Sequence, residues 1–380
     1  MRKSTFNTYL CIRTLNKSLA TSTSGTTTFG KSNRWIDRQP DFNAQKHEYK
    51  NLFSWKSKEE FSDSLYKSII YNAGGLIALN KPYGVPAVTH SDNDSENKKI
   101  KQTLSDMWIG ESPYAISDSL DILAEKLEVQ KLRIIKCAER YSSGVTLLAT
   151  SDEVKNKVAI CIRSSHSLNI CSQQYWLICC GIPFPKEEKK KVGIELMEVA
   201  KGDIQPIIQQ KCSKSSVKLK QIKPVLYDYR CIASNNALKT SLLQISVSKN
   251  KSHFVRALAA DKAVILIGDH MFACRVKSIL GKYVAVSPTQ VVNRDTIHLD
   301  PTILHKLGLS SETQKGIPSQ LHLHGFTLVN YNGTNKHLHL KAPPPQHFLW
   351  TCHQLGLLPP SIETAAVVSG EAGQTFHTKN

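Results

Sequence analysis

KCAERYSSGVTLLAT, residues Lys136 to Thr150, sets a single carboxylate, Glu139, among polar turn residues immediately before an apolar run. Arg140 to Gly144 read as a turn, because serine side chains hydrogen-bond the local backbone and glycine accepts positive φ. Val145 to Ala149 then read as a buried strand. A carboxylate at such a junction is one that a rigid sheet can present as a nucleophile or base. A Glu on a turn with nothing else around it is more commonly a solvated surface residue.

Three further segments surround this one in a fixed order. Upstream, LIALNKPYGVPAVTH (Leu76 to His90) runs from an apolar strand into Asn80-Lys81-Pro82, with Gly84 two residues after the proline. Downstream, Gln174-Tyr175-Trp176 opens a strand that is followed by Gly181 and Pro183. Last comes SLLQISVSKNKSHFVRALAADKAVILIGDHMF (Ser241 to Phe272). Its Leu243, Ile245 and Val247 alternate with Gln244, Ser246 and Ser248, so one strand face is covered and the other is wet or lines a cleft. A basic turn, Lys249 to Lys251, leads into a short helix over His253 to Ala260, with Val255, Leu258 and Ala259 facing inward and Arg256 on another face.

In this order and spacing the four segments resemble the RluA-type pseudouridine synthases over about residues 70 to 357. In that family the second segment is His-Arg-Leu-Asp followed by Ser-Gly, and Glu139 occupies the place of the Asp. Tyr175 matches the family's Lys-Tyr strand, and His253, Arg256, Gly268 and Asp269 match its His-Gln-Ile-Arg helix and Gly-Asp turn. The chain departs from the pattern at Lys136 and Cys137, which replace His and Arg, at Gln174, which replaces Lys, and at Phe254, which replaces Gln. In this it is most similar to mitochondrial RluA-like paralogues that have lost the usual His-Arg-Leu-Asp.

The resemblance implies an α+β fold, a mixed, mostly antiparallel sheet flanked by helices with a central RNA-binding cleft. It implies conversion of uridine to pseudouridine in RNA without a cofactor: the N-glycosidic bond breaks, the base turns and rejoins through carbon, and the target nucleotide leaves its stack to reach the pocket. Glu139 is then the nucleophile or base, and Arg256 the cation that keeps it ionised. Tyr175 stacks on the base and helps remove its C5 proton. Lys81, Lys136, Arg140, Lys251 and His253 are expected RNA contacts. Two functions fit this set. In the first the chain is a mitochondrial RNA pseudouridine synthase acting on mRNA or rRNA. In the second it is a catalytically inactive relative that binds mitochondrial RNA in maturation or in mitoribosome assembly, with proteins of those processes as partners.

Composition agrees with an RNA partner. A formal net charge of +18 and a pI near 9.4 call for an anionic surface, since each Lys or Arg near a phosphate displaces a condensed counterion. An anionic membrane surface is the second candidate. No apolar run approaches the roughly 20 residues that span a bilayer. The 10 cysteines contain no C-x-x-C pair and read as small apolar residues of a reducing compartment. His322, His324, His337 and His339 alternate on adjacent strands of a closing hairpin, a simpler account than a metal site, because no Cys or carboxylate completes a ligand set. Phosphate-loop and dinucleotide-binding glycine motifs are absent from the sequence.

The first 36 residues hold no Asp or Glu, but carry Arg2, Lys3, Arg13, Lys17, Lys31 and Arg34 among Ser and Thr. This is the composition of a mitochondrial transit peptide directing the chain to the matrix, or of an ordinary basic terminus. The expected organisation is a transit segment (1–36), an N-terminal extension (37–70), a catalytic domain (71–357) and a disordered tail (358–380). Within it, Trp35 to Lys50 reads as extended, Lys56 to Ile70 as a helix with Phe61, Leu65 and Ile69 on one face, and Asp92 to Lys101 as an exposed loop. Ser117 to Val129 reads as a further helix, Ser151 and Asp152 as the cap of the next, and KEEKKK, Lys186 to Lys191, as a charged loop.

Overall fold

A sheet of 12 strands organises the chain. The computed structural model describes residues 47–89, 112–200, 202–219, 221–291 and 299–357. The expected transit segment, the loop at Asp92 to Lys101 and the tail from 358 lie outside the described residues. In chain order the strands are β1 (Ile69–Ala73), β2 (Leu76–Lys81), β3 (Arg133–Lys136), β4 (Ser143–Ala149), β5 (Gln173–Cys180), β6 (Glu187–Ala200), β7 (Asp203–Gln209), β8 (Ile222–Asn235), β9 (Thr240–Val247), β10 (Ile265–Leu266), β11 (Val276–Ile279), β12 (Lys282–Ala285), β13 (Leu321–Leu328) and β14 (Leu338–Lys341). The main path runs β1-β2-β4-β13-β5-β9-β8-β6-β7, with β3 added on β4, β10 on β5 and β14 on β13, while β11 and β12 form a separate hairpin. All pairs are antiparallel except β13 with β4. The sheet is therefore mixed and mostly antiparallel, as the resemblance implies.

β4 lies between β2 and β13 and is buried at every residue. An interior strand covered on both faces needs apolar side chains on both, which explains the unbroken Val145 to Ala149 run. The glycine ahead of that run answers to a close approach. Gly144 pairs with Leu323 in the parallel ladder, has φ +117°, and a Cβ there would lie 2.2 Å from the Leu323 carbonyl oxygen. Alternation then sorts β5 between two cores. Tyr175, Leu177 and Cys179 enter one cluster, Trp176, Ile178 and Cys180 the other, as the two-residue period of a strand requires.

Helices α1 (Lys58–Lys67), α2 (Leu120–Lys126), α3 (Asp152–Ser167), α4 (Lys214–Lys218), α5 (Phe254–Asp261), α6 (Pro301–Lys306) and α7 (Gln346–Gln354) join these strands. Phe61 and Leu65 of α1 and Leu123 of α2 pack with Ile77, Leu79 and Leu148 in one cluster. The segment before β1 thus shares its core with the sheet. Ser151 caps α3 by accepting from the Val154 amide, as expected from the sequence.

Three expectations are corrected. From Glu187 on, KEEKKK lies in β6 and not in a loop: Glu187 to Lys191 pair with Arg230 to Leu226 of β8, and charged side chains suit a strand near a sheet edge. Glu188 turns inward far enough to accept from the Tyr227 hydroxyl at 2.6 Å. Glu48 to Phe53 form a short 3-10 helix, and over Glu48 to Lys50 this replaces the extended chain expected there, because the Tyr49 ring is drawn into the core with Ile303 and Phe348. Ile69 begins β1 instead of continuing α1.

Candidate active site

Glu139 leaves the turn ahead of β4, and local bonds fix its backbone. Its carbonyl accepts from both the amide and the hydroxyl of Ser142, at 3.0 Å each, the local serine bonding that the sequence suggests. The carboxylate points toward the start of α5. Oε2 lies 3.3 Å from an Arg256 guanidinium nitrogen and 3.1 Å from His253 Nδ1. Because a carboxylate only accepts, Nδ1 carries the proton in this contact. Oε1 accepts from Asn250 Nδ2 at 2.9 Å.

Burial pushes the Glu139 carboxyl up. The Arg256 charge, the hydrogen bond and charge of His253, and Lys136 outweigh it and hold the group down to about 2. Arg256 is 2% exposed and Glu139 24% exposed, so the guanidinium is covered while the carboxylate keeps an opening to solvent. An ionised carboxylate held on both oxygens with one open side is suited to attack on, or proton removal from, a sugar presented from that side.

Tyr175 stands next to this group. Its hydroxyl accepts from Asn250 Nδ2 at 3.1 Å and donates to Gln173 Oε1 at 3.1 Å. Burial, then the nearby Glu139 charge, push the phenol well above its usual range, so it is neutral. The ring is 3% exposed, and stacking on a base requires the wall over it to open.

The wall behind Arg256 is built by the Gly-Asp turn. Gly268 has φ +77°, and a Cβ on it would lie 2.3 Å from the Pro318 carbonyl oxygen. Asp269 Oδ1 accepts from the amides of Met271 and Phe272, at 2.9 and 3.3 Å. This sets the Met271 sulfur 3.9 Å from the Arg256 guanidinium. Met271, Leu52 and Phe53 pack against the buried Tyr83 and Tyr141. All of α5 from Phe254 to Ala260, Arg256 included, is buried, so no face of this helix is left to solvent. Phe254 packs in the main core at a ring distance of 6.3 Å from Tyr227.

Of the expected site residues, Glu139, Tyr175, Arg256 and His253 come together. Lys136 is half-buried within electrostatic reach of Glu139, Arg140 is half-buried over the Tyr141 ring, and Lys251 is exposed at the mouth. Lys81 is a correction. Its ammonium is fully buried and donates to the carbonyls of Pro82, Val85, Arg140 and Ser142, at 3.1, 3.0, 3.3 and 2.7 Å. It ties the Asn-Lys-Pro loop to the turn after Glu139 and does not reach an RNA phosphate. Burial lowers it to about 8, with Cys137 and Glu139 working the other way.

Asn250 and Gln173 were not singled out from sequence. An Asn ahead of a helix is a capping signal, but nothing local connects it to a carboxylate 111 positions away. The histidines of the closing hairpin are engaged elsewhere. His322 pairs with the Ser143 hydroxyl and the Ala342 carbonyl, His324 with the Ala342 carbonyl, His337 with the Asn330 amide and His339 with the Thr327 hydroxyl. Among the described residues no helix is long and apolar enough to cross a membrane.

No family model matches the sequence. Curated relatives do. The chain is 25% identical over 304 residues to the Mitochondrial mRNA pseudouridine synthase RPUSD3 of Homo sapiens, covering 79% of each. It is 23% identical over 317 residues to the Pseudouridylate synthase RPUSD4, mitochondrial, of Bos taurus, covering 80% of this chain and 73% of that one. The solved structure titled Human RNA Pseudouridylate Synthase Domain Containing 4 superposes with a TM-score of 0.55 at 19% identity, over 79% of this chain and 97% of that one. In its fold the chain is similar to the solved synthase domain, and in sequence, with its ordered segments around Glu139, Tyr175 and Arg256, it is similar to the mitochondrial RPUSD3 and RPUSD4 proteins and resembles the RluA-type pseudouridine synthases.

Proposed function

We propose that this protein is a mitochondrial RNA pseudouridine synthase in which Glu139 performs the chemistry of the family's aspartate. The observation that carries this reading is the ionised Glu139 carboxylate, gripped by Arg256, His253 and Asn250 beside Tyr175. Burying an arginine against a carboxylate is costly unless the pair is used or well satisfied. In the proposed reaction Glu139 attacks C1′ as the N1–C1′ bond breaks, or removes the C2′ proton as that bond breaks, and the uracil leaves the sugar. The base turns and C5 bonds to C1′, which displaces the carboxylate or is accompanied by return of the proton to C2′; C5 then loses its proton with the help of Tyr175 and N1 takes one up.

The RNA would lie across the basic mouth of the site. Lys251, Lys136 and Arg140 flank Glu139, and Lys249 is lowered by its own burial and by the nearby charges of Lys251, Lys191 and Lys223. Like charges gathered in this way repel one another and are relieved by a phosphate backbone. mRNA and rRNA are both candidate substrates. The proposed compartment is the matrix, where mitochondrial RNA is made, and proteins of mitochondrial RNA processing or ribosome assembly are proposed partners.

The test is a map of pseudouridines in mitochondrial RNA from cells lacking the protein, re-expressing the normal chain, Glu139→Gln or Glu139→Asp at matched protein level. Sites that vanish and return only with the normal chain support the synthase. Sites restored equally by Glu139→Gln overturn the role of the carboxylate. Unchanged sites with falling mitochondrial RNA or ribosome levels point to an RNA-binding relative without catalysis.

A further inference from the structure

Asn250 sits between two lysines in the turn leading to α5 and makes three hydrogen bonds that tie separate elements together. Its Oδ1 accepts from the Val255 amide at 3.2 Å, and its Nδ2 donates to Glu139 Oε1 at 2.9 Å and to the Tyr175 hydroxyl at 3.1 Å. The direction of this amide is dictated by its partners. The Val255 amide is in the first turn of α5, and the N-cap residue His253 supplies no side-chain bond to that end. The Asn250 oxygen must therefore face the helix and its nitrogen the carboxylate, since the reverse would set a carbonyl oxygen against Glu139.

We infer that Asn250 is a positioning residue that locks the Glu139 carboxylate and the Tyr175 hydroxyl in a single relative orientation. The inference rests on the reading of Glu139 as the reacting carboxylate. Arg256 and His253 both hold Oε2. A carboxylate held by one oxygen can swing about it, and a glutamate has one more rotatable bond than an aspartate through which to do so. Among the described residues Asn250 alone bonds the second oxygen, Oε1. It also sets the phenol. With Nδ2 donating to the Tyr175 oxygen, the hydroxyl proton goes to Gln173 and not to Glu139. The carboxylate is thus kept free of a phenol hydrogen bond that would blunt its reactivity.

Asn250→Asp separates this role from a structural one. It keeps an oxygen for the Val255 amide, so the end of α5 is preserved, but turns the donor facing Glu139 into a second carboxylate oxygen. Asn250→Ser is the companion variant should the first fail to fold. Pseudouridine formation is measured on pooled in vitro transcripts of mitochondrial mRNAs and rRNAs across pH, and the Glu139 carboxyl is followed by 13C NMR in protein labelled at glutamate side chains. Both variants are expected to lose about a hundredfold in kcat, the cost of roughly 1 Å of misplacement, with KM within about twofold. Asn250→Asp should also raise the Glu139 titration by about one pH unit or more, through like-charge repulsion, and move the acid limb of the pH profile with it. Turnover like the normal chain, or an unmoved Glu139 titration in Asn250→Asp, overturns the inference. Glu139→Gln in the same assay keeps the two claims apart. If it turns over normally, the role given to Glu139 fails, and the positioning claim is then decided by the titration.

Discussion

Replacing Glu139 by Gln should cost stability as well as activity, by an amount that follows from the ion pair. The carboxyl is held down from 4.5 to about 2 against the opposing effect of burial. That difference of about 2.5 pH units corresponds to about 3 kcal/mol favouring the ionised over the neutral form. Gln is close in shape to the neutral form and removes the negative charge that Glu139 sets against Arg256, which is 2% exposed. The same figure is at the low end of what breaking one side of a buried pair costs, about 3–5 kcal/mol. Because the folded value lies below the unfolded one, the contribution is complete above pH 4.5 and is lost as pH falls toward 2. Urea unfolding of the normal chain and of Glu139→Gln should therefore differ by about 3 kcal/mol at pH 7, and by about half that at pH 3. Other groups that titrate in this range act on both proteins and cancel in the difference. A gap under about 1 kcal/mol at pH 7, or one that does not narrow in acid, would refute the claim that the Glu139 charge stabilises the fold through Arg256.

Glu139→Asp draws the carboxylate back by roughly 1.5 Å, too far for the contacts now at 2.9 to 3.3 Å, and kcat should fall about a hundredfold; a gain in rate would mean that the longer arm is a handicap instead of a fit. His322 and His347 are buried and held neutral, each lowered to about 3 by burial above all. The stability these two contribute is then full above pH 6.5 and falls below it, by about 2 kcal/mol per histidine at pH 5, and His347→Leu should remove about 2 kcal/mol of the loss seen by denaturant unfolding between pH 7 and pH 5. Lys249→Ala and Lys251→Ala should each weaken RNA binding and reduce the slope of log affinity against log salt by about one; an unchanged slope in a filter-binding series would remove these lysines from the RNA path. Gly144→Ala forces a Cβ onto the Leu323 carbonyl, 2.2 Å away at φ +117°, and should lower unfolding stability by about 1–3 kcal/mol or more.

The elements read correctly from sequence are those whose signal is local. The apolar run after Gly144 is buried at each position of β4 because the strand is interior, and the alternation of Leu243, Ile245 and Val247 is the inward face of β9. The errors arise where tertiary pairing outweighs local composition. Glu187 to Lys191 look like a solvated loop until β8 supplies their hydrogen-bond partners. Lys81 looks like a phosphate contact until the turn after Glu139 folds over it, and carbonyls from two loops take its ammonium. In both cases charge suggested solvent, and the missing information was which distant backbone would come to meet it.

At the site the same division holds. The order of the motifs carried the resemblance to the RluA-type synthases, and that resemblance implied the mixed sheet and grouped Glu139, Tyr175 and Arg256; the local strand, turn and helix signals placed each residue only within its own segment, and the basic charge called only for an anionic partner. Only the packed structure decided how the group is held: that Arg256 and His253 share one carboxylate oxygen, that Asn250 takes the other and the Tyr175 hydroxyl, and that Lys81 is structural. Those are contacts across 59 to 117 positions of chain. A one-dimensional pattern carries residue type and period, whereas a hydrogen bond of 2.9 Å depends on where two independently built elements are set by the core between them.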